Sequence, residues 1–147
     1  MQFEGKVNIR QSRSEVWAFL TDAEAVSQCM PGLESIEIVT PNKKFRALGA
    51  LGLGTVKVKM DTDVEWVELD APNRATVRMN GTAPGSAIDV ASEIRLADGA
   101  DGSTDMEWSA EVKVLGTIAS LAARLMKPVT QKLTGQFFTC VKKKLEK

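Results

Sequence analysis

The sequence predicts an α+β fold in which a curved antiparallel sheet wraps around a long C-terminal helix, with two short helices after the first strand. Three observations predict it. Residues Leu33 to Leu115 alternate apolar with polar side chains, with turn residues punctuating the runs. From Gly116 onward, apolar residues recur at steps of three or four. The 147 residues contain no internal repeat, low-complexity tract or linker, so they fit one domain over residues 1–147. A chain of this length buries roughly two-thirds of its unfolded surface, enough for a core without metal or disulfide support.

Met1 to Arg10 reads as a strand, interrupted at Gln11 to Ser14. A helix follows, with Ser12 or Ser14 as N-cap, Glu15 in the first turn and Val16, Trp17, Phe19 and Leu20 as its apolar residues. Asp22 opens a second, short helix that ends at Cys29-Met30-Pro31-Gly32, where the proline forbids smooth continuation. Strands then begin at Leu33 and at Phe45. The clearest is Val56 to Trp66, where Val56, Val58, Met60, Thr62, Val64 and Trp66 alternate with lysines and acids. Further strands run through Ala75 to Met79, Ile88 to Leu96 and Met106 to Val114. Ile118, Leu121, Leu125, Val129, Leu133, Phe137, Val141 and Leu145 then mark a helix about 40 Å long, kinked at Pro128. This order of elements is that of the helix-grip, START-like architecture, which leaves an elongated apolar cavity between helix and sheet.

Composition narrows the chemistry. The chain has no histidine and no tyrosine, which excludes Ser-His-Asp and Cys-His catalytic units and His-ligated metal sites. Nineteen basic residues balance nineteen acidic ones, against the domain-wide basic footprint of a nucleic-acid-binding module. The longest charge-free stretches have ten residues, short of the roughly 18–20 of a membrane-spanning helix. No secretory signal is read at the N-terminus, so cytoplasmic residence is expected. Cys29 and Cys140 have neither zinc nor redox spacing and are expected to be reduced, buried small hydrophobes, with a bridge between them left open.

Met1-Gln2-Phe3-Glu4-Gly5, Glu15-Val16-Trp17, the Asp22 to Gly32 run, Asp70-Ala71-Pro72, Gly81, Gly85 and Val114-Leu115-Gly116 together resemble the CoxG family of carbon monoxide dehydrogenase accessory proteins. The resemblance covers essentially the whole chain, and its most specific piece is the Cys-Met-Pro-Gly element. It implies a non-catalytic accessory protein of carbon monoxide dehydrogenase or a related molybdenum hydroxylase. Such a protein links the enzyme to the membrane as a peripheral anchor or as a carrier of a quinone or other lipid.

The first candidate site is the cavity. Its ligand contacts are expected from Met30, Leu33, Met60, Trp66, Met79 and Trp108, facing Leu121, Leu125, Val129 and Phe137 on the helix. Orienting polar groups would come from the Trp66 or Trp108 indole, Thr62, Ser92, Asn80 or backbone amides, and none is a candidate catalytic base. The second is the Gly49 to Gly54 stretch, read as a hairpin tip that places Leu51 and Leu53 as a gate or a bilayer contact. It lacks the spacing of a dinucleotide fingerprint. Cys29-Met30-Pro31-Gly32 reads as a rigid corner closing the cavity mouth. The last helix holds seven basic residues and one acid from Ile118 onward, against 12 basic and 18 acidic in the remainder. Lys142, Lys143 and Lys144 are therefore expected to meet anionic lipid or an acidic partner. Two other roles remain: a membrane adaptor that recruits the enzyme through this helix without a ligand, and, less favoured, a cyclase- or hydrolase-like enzyme.

Overall fold

In the computed structural model, which describes residues 1–53 and 55–146, seven strands form one antiparallel sheet in the order β1-β7-β6-β5-β4-β3-β2. The strands are β1 (Gln2–Ile9), β2 (Leu33–Thr40), β3 (Lys44–Leu53), β4 (Val56–Asp70), β5 (Arg74–Ala83), β6 (Ser86–Asp98) and β7 (Thr104–Gly116). Helices α1 (Arg13–Leu20) and α2 (Ala23–Ser27) separate β1 from β2, and α3 (Ala119–Leu145) ends the chain. A 3-10 turn at Ala100–Gly102 joins β6 to β7. The helix α3 packs on β3 from one side and on β1 and β7 from the other, so the sheet curls around it.

The local chemistry explains the boundaries. Ser12 caps α1 by accepting from the Glu15 amide at 3.3 Å, and Asp22 caps α2 by accepting from the Glu24 and Ala25 amides. Pairing registers put Val58, Met60, Thr62, Val64 and Trp66 of β4 opposite Leu51, Gly49, Ala47, Phe45 and, on β5, Val77, all on the inner face. Val67, outward by alternation, is 50% exposed, and a bulge beyond Trp66 shifts the register so that Glu68 pairs with Thr76 and Leu69 with Ala75. The strand continues to Asp70, four residues past the end of its simple alternation. The helix α3 is unbroken over 27 residues and runs through Pro128.

Two expectations are corrected here. The Gly49 to Gly52 stretch is not a loop tip but the second half of β3, paired with β4 as far as Leu53 and Val56. Small residues are needed there because the chain entering β2 crosses it closely. The Ala50 amide donates to the Gly32 carbonyl at 3.0 Å, and a Cβ on Gly32, whose φ is +78°, would overlap the Ala50 carbonyl oxygen. The second correction concerns the cysteines, which are joined rather than reduced: Cys29 and Cys140 form a disulfide with Cα atoms 5.4 Å apart. The corner after α2 and the last turns of α3 share one core cluster, which brings together two residues 111 apart in sequence.

Candidate functional site

The apolar interior is divided into three clusters. The first, around Ile9, Val16, Leu20, Cys29, Leu96, Met106 and Val141, closes one end of the molecule and includes Phe137, Phe138 and Leu145 of α3. The third, around Ile88, Val112 and Met126, takes in Leu121, Leu125 and Val129 from the first half of α3. The second, around Ala23, Phe45, Ala47, Val64 and Trp66, contains no residue of α3. Its partners are Met30, Leu33, Ile36, Val77 and Met79, with the Phe45 and Trp66 rings 5.4 Å apart.

The ten residues expected to contact a ligand are spread over these three clusters. Met30, Leu33, Trp66 and Met79 lie in the second, Met60, Leu121, Leu125 and Val129 in the third, and Trp108 and Phe137 in the first. All except Trp66 are only half-buried. On α3, Met126 and Val141 are buried at 8% and 0% exposure, whereas Leu133, on the same apolar stripe between them, is half-buried and belongs to no cluster. The residues of α3 that pack on buried neighbours thus fall in its first half and its last turns, and the second cluster is built from the sheet, α2 and the corner after it.

Two glycines shape the walls. Trp108 lies over Gly5 of the neighbouring strand, where a Cβ would stand 2.7 Å from the indole Nε1. Met60 lies over Gly81, where a Cβ would stand 2.7 Å from the Met60 methyl. A Cβ at Gly5 would displace the Trp108 indole, whereas at Gly81 the flexible end of Met60 would have to swing aside.

The polar lining is sparse. Thr62 and Ser92 share the inner face with Gly81 and Val77, whereas Asn80 pairs with Asp63 and Asp89 on the outer face and is removed from the candidate orienting groups. Among the described residues, the inner positions of the strands carry no acid or base. The groups with shifted ionisation lie elsewhere. Asp61 is held below the usual carboxylate range by a hydrogen bond and ion pair with Arg46 on the outer face. Glu146 is lowered first by accepting the Arg10 backbone amide at 2.7 Å and then by the Arg10 side chain. No group of three or more Cys, Asp or Glu among the described residues is placed to hold a metal ion.

Leu51 points inward and is half-buried against the third cluster beside Val58 and Met60; the Leu53 side chain lies outside the described residues. Lys143 and Lys144 are exposed and Lys142 is half-buried; Arg124, Lys127 and Lys132 are also exposed, Lys132 on the same side of α3 as Lys143. A shallow concavity of about 640 Å³ runs along that side past Lys132, Gly135, Cys140 and Lys143. Another, of about 510 Å³, lies on the outer face of the sheet between Val67, Arg78, Glu93 and Glu111. No helix among the described residues is long and apolar enough to cross a membrane.

A family model described as the G subunit of carbon monoxide dehydrogenase (CoxG) matches residues 5–146. The chain belongs to the CoxG family. The fold agrees with solved structures across its whole length. A conserved protein from Geobacillus kaustophilus superposes with a TM-score of 0.91 at 24% identity, covering 99% of this chain and 95% of that one. A START superfamily protein from Mycobacterium smegmatis gives 0.77 at 11% identity, covering 99% and 97%. A protein from Thermus thermophilus gives 0.71 at 14%, with 99% and 97% covered. At these identities the three structures establish the START-like fold alone. No curated protein matches the chain. CoxG membership and the START-like fold agree with the resemblance read from the Cys29 to Gly32 element and the glycines.

Proposed function

We propose that this CoxG-family chain is a non-catalytic accessory protein that binds a quinone or another lipid in the cleft between α3 and the sheet. It presents that molecule to carbon monoxide dehydrogenase or a related molybdenum hydroxylase at a membrane surface. The reading is supported by the cluster around Phe45 and Trp66, which includes no residue of α3, and by Leu133 midway along the helix, which is half-buried and outside all three clusters. An uncharged, largely apolar lining with Thr62, Ser92 and two indoles suits a ligand with a long apolar body and one or two carbonyl groups. The flexible thioethers of Met30, Met60 and Met79 adapt to such a body. Within this reading Leu51, between the third cluster and the β3–β4 turn, gates one end of the cleft.

The basic side of α3 supports a second element, contact with anionic headgroups through Lys142, Lys143 and Lys144. The same lysines would serve an adaptor with a filled interior. Organic extraction of protein purified without detergent, followed by mass spectrometry, separates the two. The carrier reading expects a co-purified quinone or lipid and a melting temperature raised by added menaquinone. An empty extract with an unmoved melting temperature overturns it.

A further inference from the structure

We propose that the Cys29–Cys140 disulfide is a redox latch, fixing the corner Cys29–Leu33 to α3 and thereby controlling one end of the apolar cleft. The gating half of this proposal rests on the cleft reading given under Proposed function. The corner is held from two sides. On the sheet side, the Gly32 carbonyl accepts the Ala50 amide of β3 at 3.0 Å. On the helix side, the corner meets α3 at Cys140, through the disulfide and a long 3.8 Å contact from the Cys140 sulfur to the Gln28 carbonyl. Met30 and Leu33, on either side of Pro31-Gly32, belong to the second cluster, which is the sheet-side wall in the cleft reading. A covalent bond to α3 therefore acts one residue away from a cleft wall.

The two sulfurs differ in access. Cys29 is 4% exposed, inside the first cluster, whereas Cys140 is half-buried and lines the open side of α3 with Lys132, Gln136 and Lys143. An approaching thiolate is met by positive charge there. The step is thiol–disulfide exchange with a dithiol reductant. One thiolate of the dithiol attacks the Cys140 sulfur, the Cys29–Cys140 bond breaks, and Cys29 leaves as a thiolate that takes up a proton. The second thiol of the dithiol then attacks the mixed disulfide and releases Cys140, which is protonated in turn. The dithiol is oxidised by two electrons and the cystine is reduced by two. Where thiols are kept reduced, a disulfide of this kind is typically transient and redox-sensing.

The test is hydrogen exchange on the full chain, oxidised with diamide or reduced with a trialkylphosphine, beside Cys140→Ser and Cys29→Ser. Amides of residues 23–33 are expected to exchange at least tenfold faster in the reduced protein and in both variants, while those of β4 to β6 stay unchanged. Release of a short-chain ubiquinone, followed by quenching of tryptophan fluorescence, is expected to be at least fivefold faster in the reduced form. Equal exchange in residues 23–33 in the two states overturns the latch. Faster exchange with an unchanged release rate overturns its control of the cleft. If the ubiquinone binds neither state, the cleft reading and the gating half fall together, and the exchange data alone decide the latch.

Discussion

Replacing Leu133 with tryptophan tests whether the space under α3 is open. Leu133 sits on the apolar stripe between Met126 and Val141, both buried, yet is itself half-buried and packed into none of the clusters. If the space is open, the indole enters it and removes about 50 Å² more apolar surface from water, near 1 kcal/mol at about 25 cal/mol per Å². For a domain of this size that raises the melting temperature by about 2–4 °C. If helix and sheet were in full contact instead, the added volume would overpack the interior and lower stability by about 1–3 kcal/mol. The assay pairs thermal unfolding by circular dichroism with a quinone titration read by fluorescence quenching. The expected result is an unchanged or raised melting temperature together with at least a tenfold loss of quinone affinity. A fall of more than about 5 °C would refute the cleft, because it is the signature of a filled core. Full stability with unchanged quinone affinity would refute the placement of the ligand.

Gly32→Ala puts a side chain at φ +78° against the Ala50 carbonyl. Destabilisation of about 1–3 kcal/mol from backbone strain is expected in denaturant unfolding. At Gly52, on the strand of Ala50 and with nothing within 4 Å of its Cβ position, Gly→Ala should be far milder. Changing Lys142, Lys143 and Lys144 together to alanine should weaken sedimentation with phosphatidylglycerol vesicles about a hundredfold at low salt, from about 1 kcal/mol per basic residue. The loss should shrink as salt rises, and an unaltered salt dependence would move the docking surface elsewhere. Asp61 and Glu146 both titrate below their ordinary values of 3.8 and 4.5 in the folded state. Their stabilising contribution is therefore complete above those values and lost as the pH falls through the depressed ones. Asp61→Asn and Glu146→Gln should each flatten the acid limb of stability below about pH 4.5 and leave its shape above pH 6 unchanged, as read from urea unfolding across pH.

Much of the fold was legible because the inner and outer faces of each strand differ so sharply in polarity. Val58 to Trp66 announced its own register and Asp22 its cap, while the cap of α1 was open between Ser12 and Ser14 until the fold chose Ser12. The end of β4 was not legible, because an apolar Val67 sits on the outer face and the bulge after Trp66 shifts the phase of Glu68 and Leu69, which breaks the alternation that marks a strand. The glycines of β3 read as a turn because what demands them is the backbone at Gly32, which approaches only in the folded chain. The disulfide was hidden for a related reason: no local pattern reports that residues 111 apart share a corner. The candidate residues were legible as inward-facing, but not which of them touch one another. A stripe of apolar residues on a helix looks uniform in sequence, and only the folded chain divides it, with Leu121, Leu125 and Val129 in one cluster and Phe137 in another.

The exposed surface of α3 and the outer face of the sheet point in opposite directions, the first carrying Arg124, Lys127, Lys132, Lys143 and Lys144 and the second a mixed set in which acids such as Glu4, Glu37, Asp63, Glu65 and Glu111 outnumber bases such as Lys6, Arg46, Lys59 and Arg78. A body so arranged, with zero net charge, has almost no monopole but a large dipole across its thickness. A charged surface nearby exerts little net pull on it but a strong torque. Such a protein would arrive already turned, helix towards the negative surface and sheet away, and its encounters would be selected by orientation rather than by attraction.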